Sequence, residues 1–279
     1  MAISWKPMLV TGAVVGVVLV VDDATTTASG NADQPPARHV ASVATAVPTV
    51  APTKEPAKKP SKQPPRKPSK EPTAESAPHR DGLGVIQHTG AAGPTVALTF
   101  DDGPSEYTVE VLDILDRHGV TATFCVVGES AKAHPGLVKE IASRGHTLCD
   151  HTLTHDLTLS DRTEEQVRGE IGGTLDIIRA AVPEAEVPFY RAPGGNFSAE
   201  VIRIAASYEQ QPLGWSVDPR DWTDASTHEI RTAVLKGVSP GSIVLLHDGG
   251  GDQSETVAAL DNVITKLRAA GFEFVIPNS

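Results

Sequence analysis

Apolar residues follow two alternating patterns from residue 95 to the end of the chain. Short apolar runs such as TVALTF (residues 95–100) and SIVLLHD (residues 242–248) are typical of β-strands. Between these runs lie longer stretches with an apolar residue every three or four positions, of which EYTVEVLDILDRHG (residues 106–119) is the first. This spacing predicts amphipathic helices, and Gly119 and Gly145 stand where helices commonly stop.

The alternation predicts seven strands and six helices. The predicted strands are TVALTF, TATFCVVG, HTLCDHT, PFYRAP, PLGWSVD, SIVLLHD and FEFVI, and the helices between them cover residues 106–119, 133–145, 164–181, 198–208, 227–238 and 255–271. Strands separated by helices of this length imply right-handed crossovers and therefore a parallel sheet. A barrel and an open doubly wound sheet both fit this pattern. No strand is followed by G-x-G-x-x-G, which argues against a nucleotide-binding sheet.

The first region of the chain, residues 1–28, has the pattern of a secretory signal. One lysine precedes an apolar run of 14 residues from Met8 to Val21, which is shorter than the roughly 20 residues that span a bilayer. We expect cleavage near Ala28, with an uncleaved membrane anchor as the alternative. Either way, the rest of the protein is expected to be secreted or to stay at the cell surface.

The second region, residues 29–83, is rich in proline and lysine. Nine prolines fall between Pro48 and Pro78, and residues 54–70 hold seven basic side chains against one acidic. Such a segment cannot bury a core, so it is predicted to be a disordered, extended linker. Its basic charge raises a second hypothesis, adhesion to an anionic cell wall.

The third region, residues 84–279, is the predicted folded domain and is acidic. It holds 14 of the 24 basic and 28 of the 35 acidic residues, a net charge of about −14 with histidine neutral. Nucleic-acid binding depends on neutralising phosphates, so this balance argues against a nucleic-acid partner. We expect the domain to be a monomer.

The two cysteines, Cys125 and Cys149, lie late in successive predicted strands. A disulfide persists outside the cytoplasm. A bridge between these residues would stabilise the fold by roughly 3 to 4 kcal/mol in the chain-entropy model. Two buried thiols are the alternative.

Polar residues that can carry chemistry follow the predicted strands. They are Asp101 and Asp102 after the first strand, His151 and His155 after the third, Arg191 after the fourth, Asp218 and Asp221 after the fifth, and His247 after the sixth. In a parallel barrel, functional residues gather at these carboxyl ends. Two histidines and one carboxylate with open positions suit a catalytic Zn²⁺. The segment HTLTH lacks the glutamate of HExxH zinc peptidases, which argues against that class.

The adjacent acids Asp101 and Asp102 pose a problem of geometry. Side chains one residue apart on a strand point to opposite faces. A pair that merely caps the turn at Gly103-Pro104 is the structural alternative to two acids with different chemical roles.

Five motifs, TFDDGP, HTLTH, RAPGG, DPRDW and IVLLHD, occur in this order along the chain. In order and spacing they resemble the NodB-type polysaccharide deacetylases of carbohydrate esterase family 4, over residues 94–276. The resemblance implies a distorted (β/α)7 barrel of parallel strands. It also implies a hydrolase that removes acetyl groups from N-acetylglucosamine units of peptidoglycan or chitin-type oligosaccharides with a divalent metal, for which we expect Zn²⁺ or, as an alternative, Co²⁺.

The resemblance assigns metal ligands and a base. It implies that Asp102, His151 and His155 bind the metal. Asp101 would be the general base, with Arg191 paired to it.

The resemblance also assigns an acid and a binding pocket. His247 would be the general acid, oriented by Asp221, which we favour over Asp218 because it directly precedes Trp222. The backbone N–H of Gly194 would join the metal in stabilising the oxyanion. Trp222 and Leu245 would line an apolar wall around the acetyl methyl group.

Three other functions stay open at this point. An O-deacetylase acting on acetylated xylan would use the same site. A barrel that is catalytically idle and only binds the cell wall is compatible with the basic segment. A zinc peptidase acting on the peptide stems of the wall would release new amino termini instead of acetate.

Overall fold

The computed structural model describes residues 84–278, so the signal or anchor predicted for residues 1–28 and the linker predicted for residues 29–83 lie outside the described residues. The strands are β1 Thr95–Asp101, β2 Thr123–Val126, β3 Thr147–Asp150, β4 Phe189–Tyr190, β5 Gln211–Pro212, β6 Ser242–His247 and β7 Glu273–Phe274. The helices are α1 Glu106–His118, α2 Gly128–Ala133, α3 Pro135–Ser143, α4 Glu164–Ala181, α5 Ala199–Ser207, α6 Thr227–Gly237 and α7 Ser254–Ala269. Two 3₁₀ turns cover Leu159–Asp161 and Pro193–Gly195.

The seven strands form one parallel sheet with the order β5-β4-β3-β2-β1-β6, and β7 pairs with β1. Strand β6 pairs with β1 from Val96 to Asp101. The other edge of β1 is therefore shared, by β7 at residues 95–96 and by β2 at residues 99–101. The predicted parallel α/β architecture is confirmed.

The segment that follows β5 closes the curled sheet into a distorted barrel. Leu213 N donates to Tyr190 O at the end of β4 (2.8 Å), whereas Val217 N donates to Ile243 O of β6 (3.1 Å) and Leu245 N to Val217 O (2.9 Å). The chain thus passes from one edge of the sheet to the other. The fifth strand, predicted over PLGWSVD, is therefore interrupted: a two-residue strand is followed by an isolated bridge at Val217.

The helix predicted over residues 133–145 is two helices. His134 has φ −127° and ψ 56°, outside helical values, and separates α2 from α3. Pro135 disfavours helical geometry in the residue before it but suits the first position of a new helix. Helix α2 begins at Gly128, where the sequence pattern predicted only the end of a strand.

Apolar side chains form layers on both faces of the sheet. The barrel interior holds Ala97, Cys125, Cys149, Phe189, Leu213 and Ile243, and a larger layer packs between the sheet and the helices. Since alternate residues of a strand face the same side, Thr99 and Asp101 share the interior side with Ala97. Asp101 therefore lies directly above the packed apolar side chains of the barrel interior. Within residues 84–278, no helix has both the length and the apolar character to span a bilayer.

Candidate active site

The polar residues that follow the strands meet at the carboxyl end of the barrel. Asp101 and His247 are the last residues of the paired strands β1 and β6 and lie opposite each other in the register. His151 follows β3 directly, and Arg191 follows β4. The long connection between β5 and α6 carries Asp221.

Three of these side chains form a donor set for a metal ion. Asp102, His151 and His155 each offer one ligand atom, and these atoms lie within 4.8 Å of one another. Nε2 of His151 and Nε2 of His155 lie 3.4 and 3.3 Å from Asp102 Oδ1. That oxygen is buried and has no hydrogen-bond partner among the described residues. A buried, unpaired carboxylate oxygen facing two imidazole nitrogens fits a divalent cation, and this donor set is one that Zn²⁺ takes in catalytic sites.

The backbone of Asp102 explains why its carboxylate reaches this place. Its φ is 71°, in the left-handed region, which non-glycine residues seldom adopt but aspartate tolerates. The turn brings both acids to one atom, because Asp101 Oδ2 lies 3.6 Å and Asp102 Oδ1 lies 3.4 Å from His151 Nε2. The expectation of opposite faces is wrong, since extended geometry ends at Asp101.

The ring of His151 is held by a backbone oxygen. Its Nδ1 lies 2.8 Å from Arg191 O, and a carbonyl oxygen only accepts hydrogen bonds. Nδ1 therefore carries the hydrogen, and the lone pair of Nε2 is left for a metal. The neighbouring Asp150 carboxylate accepts from Thr152 N (2.9 Å) and so stabilises the left-handed turn at Thr152 (φ 69°).

The ionisation of the donor set suits metal binding. Burial works to raise the pKa of Asp102, but the interaction with His151 and the charges of His155 and His247 lower it to about 2. Burial and the charge of His151 lower the pKa of His155. Burial opposes charging of His151 too, but the charges of Asp101 and Asp102 outweigh it and raise its pKa. A cation at this site therefore competes with a proton on His151.

Asp101 pairs with a fully buried arginine. Arg191 Nη1 donates to Asp101 Oδ1 (2.6 Å) and to Thr99 Oγ1 (2.8 Å). Its Nε and Nη2 donate to the backbone oxygens of Leu213 (3.1 Å) and Gly214 (3.0 Å). Every side of the guanidinium is thus tied to the barrel, so the Asp101 carboxylate is fixed in place.

His247 and Asp221 form a second pair. His247 Nδ1 lies 2.8 Å from Asp221 Oδ1, and His247 N donates to Asp221 Oδ2 (2.8 Å). Asp218, the other acid of this loop, instead accepts from Arg220 N (2.7 Å). Burial alone would lower the pKa of His247, but the hydrogen bond and charge of Asp221, with the charges of Asp101 and Asp102, raise it to about 9. The pairing with Asp221 thus favours the protonated imidazole, the form that a proton donor requires.

The residues predicted to line the substrate pocket differ in exposure. Leu245 is buried in β6, whereas Trp222 is 53 % exposed, with the Arg220 guanidinium 5.4 Å from its ring centre. Gly194 is exposed with φ 59°, and a Cβ there would lie 3.2 Å from Leu157 Cδ2. Leu157 is itself 55 % exposed. Leu157 and Trp222 are therefore two exposed apolar side chains, the first beside Gly194 and the second beside Arg220.

The two cysteines lie below this site. Cys125 of β2 and Cys149 of β3 are direct partners in the sheet register, with a Cα–Cα distance of 4.1 Å, and they are disulfide-bonded. Both are fully buried in the barrel interior.

Sequence reasoning missed several residues of the site. Thr99 bonds Arg191, Thr256 Oγ1 donates to Asp221 Oδ2 (3.0 Å), and the buried Asp248 follows His247. The missed signal for Thr99 is a polar residue on the interior side of an apolar strand. For Thr256 it is a hydroxyl on the buried side of α7, in line with Ala259, Leu260 and Val263.

Two pairs of acid-base groups thus lie at the same barrel end as a donor set that suits a divalent cation, and the comparisons identify the class of protein. The family model described as polysaccharide deacetylase matches residues 89–213. The chitooligosaccharide deacetylase of Sinorhizobium fredii is 41 % identical over 204 residues, which cover 69 % of this chain and 94 % of that protein. The chain belongs to the polysaccharide deacetylases, carbohydrate esterase family 4.

Solved structures of this family share the fold. The Bc1960 peptidoglycan N-acetylglucosamine deacetylase, in complex with 4-naphthalen-1-yl-N-oxidanyl-benzamide, has 36 % identity and a TM-score of 0.66, covering 69 % of this chain and 90 % of that one. A carbohydrate esterase family 4 pseudoenzyme from Bacillus anthracis has 30 % identity and a TM-score of 0.62, covering 67 % and 64 % of the two chains. The fold thus occurs both in a deacetylase and in a pseudoenzyme, so activity has to be argued from the site.

Proposed function

We propose that this chain is a metal-dependent N-deacetylase that hydrolyses the acetamide of N-acetylglucosamine units in peptidoglycan or chitin-type oligosaccharides. One observation carries the proposal: a carboxylate tied to a buried arginine and a histidine tied to a buried carboxylate lie at the same barrel end as the Asp-His-His donor set. This combination supplies a base, an acid and a cation site together. A protein that only binds glycan requires none of the three.

In this mechanism Asp102, His151 and His155 hold the metal, for which we propose Zn²⁺, with Co²⁺ as a substitute. When bound, such an ion lowers the pKa of a water molecule and polarises the acetyl oxygen. Asp101 accepts a proton from the attacking water, and the new bond forms between the water oxygen and the carbonyl carbon. Arg191 keeps the Asp101 carboxylate in position throughout.

The second half of the reaction belongs to His247. The C–N bond breaks while His247 gives its proton to the departing nitrogen, and Asp221 stabilises the imidazolium before that transfer. The products are acetate and a glucosamine unit. The backbone N–H of Gly194 is proposed to stabilise the negative charge that develops on the acetyl oxygen.

We also propose that the domain works outside the cytoplasm. The buried disulfide between Cys125 and Cys149 supports this, because such bonds persist in oxidising compartments. The basic stretch within residues 29–83 is proposed to hold the enzyme at an anionic cell wall. Deleting residues 31–80 would then release the enzyme from the wall fraction, whereas unchanged retention would refute wall binding by this segment.

The direct test offers chitooligosaccharide, peptidoglycan and acetylated xylan in parallel to the Zn²⁺- or Co²⁺-loaded protein. Release of acetate from the first two, with mass spectrometry showing the loss of acetyl groups, supports the proposal. Release from xylan alone indicates an O-deacetylase, and new amino termini from peptidoglycan indicate a peptidase. If no substrate is cleaved, and Asp101→Asn has the same effect on cells as the parent, the protein binds the wall without catalysis.

A further inference from the structure

Asp248 is a buried acid for which the proposed mechanism has no use. It follows His247 directly and is 1 % exposed. Its carboxylate accepts a hydrogen bond from Thr108 Oγ1 in the first turn of α1 (2.6 Å). Burial raises the pKa of its carboxyl to about 7. A side chain so enclosed cannot reach substrate, so its contribution has to act through its neighbours.

Those neighbours surround the metal ligand Asp102. Asp248 N donates to Asp101 O (3.1 Å), and Asp248 O accepts from Ser105 Oγ (2.5 Å). The Asp248 carboxylate lies so close to Gly103 that a Cβ on that glycine would overlap both of its oxygens. Asp248 therefore contacts the chain on both sides of Asp102.

The glycines after Asp248 complete the enclosure. A Cβ on Gly249 would overlap Asp102 O, and a Cβ on Gly250 would overlap Asp102 Oδ2. Ser130 Oγ of α2 donates to Asp102 O (3.3 Å), and Val127 N, just before α2, donates to Gly103 O (3.0 Å). The left-handed turn at Asp102 thus contacts both the start of α2 and the segment that begins at Asp248.

We propose that Asp248 is a positioning residue for the metal ligand: its carboxylate, bonded to Thr108 and packed against Gly103, keeps Asp102 in its left-handed conformation with Oδ1 facing the two histidines. A residue in a sparsely populated conformation persists only where its surroundings determine it. Here Asp248 supplies the part of those surroundings that comes from the segment after β6. The inference rests on the proposed metal dependence, since it concerns the metal site.

The test measures metal affinity directly, without an activity assay. Zn²⁺ binding to the full-length chain is followed by competition with a chromophoric chelator, and the absorption spectrum of the Co²⁺-loaded protein reports ligand geometry. Asp248→Ala is expected to weaken Zn²⁺ binding by roughly 10- to 100-fold, the usual effect of losing a group that orients metal ligands. Asp248→Asn keeps one acceptor for Thr108 and is expected to weaken Zn²⁺ binding by about 3- to 10-fold. If the alanine variant does not fold, the asparagine variant alone decides the test.

A matched control separates positioning from general stability. Thr89 is fully buried at the other end of the barrel, where its Oγ1 lies 2.8 Å from Thr95 Oγ1. Thr89→Val is expected to lower the melting temperature but to leave Zn²⁺ affinity within about twofold and the Co²⁺ spectrum unchanged. If both Asp248 variants bind Zn²⁺ like the parent, the positioning role is refuted and the proposed function stands. If the parent binds no metal, the proposed function and the positioning role both fall.

Discussion

Asp101 and Asp102 are neighbours in the chain, yet their carboxylates approach the same atom, Nε2 of His151, at 3.6 and 3.4 Å. The surroundings of the two acids differ. Asp101 is bonded to Arg191, whereas Asp102 Oδ1 has no hydrogen-bond partner in the described part of the chain. This difference in pairing supports one role for each acid, a base held by arginine and a ligand open to a cation.

The first prediction concerns Asp101. Asp101→Asn keeps the size of the side chain and an acceptor for Arg191 but removes the base, so kcat is expected to fall roughly 10²- to 10⁴-fold. Zn²⁺ affinity is expected to change little, because Asp101 is outside the donor set. The buried guanidinium loses its counter-charge, so the free energy of unfolding is expected to drop by about 3 kcal/mol or more. Asp176→Asn, an equal charge change on the exposed face of α4, controls for net charge, and a similar kcat in all three proteins would contradict the assignment.

The second prediction concerns removal of the metal. A chelator is expected to abolish acetate release, and added Zn²⁺ or Co²⁺ is expected to restore it. The metal-free protein is expected to melt at a lower temperature, since a ligand at 100 times its Kd stabilises the native state by about 2.7 kcal/mol. His155→Ala is expected to weaken metal binding more than tenfold, and His228→Ala, on the exposed start of α6, is not. Full activity at a chelator excess that strips the ion would rule out metal dependence.

The third prediction concerns pH and the His247–Asp221 pair. His247 must be protonated to act as the acid, so the rate is expected to fall as pH rises through its pKa, which is about 9 without metal and lower with a cation nearby. Asp221→Asn removes the main group that raises this pKa, so burial dominates and the alkaline limb should move down by roughly 1 pH unit or more. If the alkaline limb does not move in this variant, Asp221 does not set the pKa of the acid.

The same pair makes a prediction about stability in the metal-free protein. The pKa of His247 is higher in the folded state than the usual value of 6.5. Its contribution to the free energy of unfolding is therefore complete below about pH 6.5 and is lost as pH rises toward about 9. Unfolding by denaturant at pH 6 and at pH 9.5 measures the difference. The difference in free energy of unfolding between these two pH values should be smaller in Asp221→Asn. If it is as large as in the parent, the His247–Asp221 pair is not its source.

The fourth prediction concerns the disulfide. The bridge closes a loop with a sequence separation of 24 residues, for which the chain-entropy model gives a stabilisation of about 3.4 kcal/mol. Cys125→Ala with Cys149→Ala is expected to lower the free energy of unfolding by about this amount. Reducing agent should destabilise the parent but not the double variant. The parent should also be unfolded and refolded in reducing agent. If its free energy of unfolding is then unchanged, the bridge contributes little to stability.

The pattern of the sequence predicted the parallel sheet and the polar strand ends, whereas the barrel and the roles of the site residues came from the family resemblance. Buried strands, amphipathic helices and polar strand ends are visible as spacing, and five ordered motifs linked them to a family. The details that failed depend on the backbone and on distant partners. Neither the left-handed turn at Asp102, nor the break at His134, nor the crossing of the chain after β5 leaves a periodic signal.

The spacing of residues along the sequence also does not predict contacts between distant segments. Arg191 is recognisable in RAPGG, but its bonds to Thr99 and to the backbone after β5 require the closed barrel. Asp248 and Thr256 look like an ordinary loop acid and an ordinary helix hydroxyl. Only the packing of the segment after β6 onto the ends of β1 and onto Asp221 gives them a place in the site.

The exposure of Leu157 and Trp222 has a consequence for which positions of this chain can change. The groups that carry the chemistry are buried and share bonds, so an alteration in one disturbs the others. These two side chains are more than half exposed, and the energy of the fold depends little on them. Natural variation or laboratory selection can therefore change these two side chains while the buried groups stay as they are.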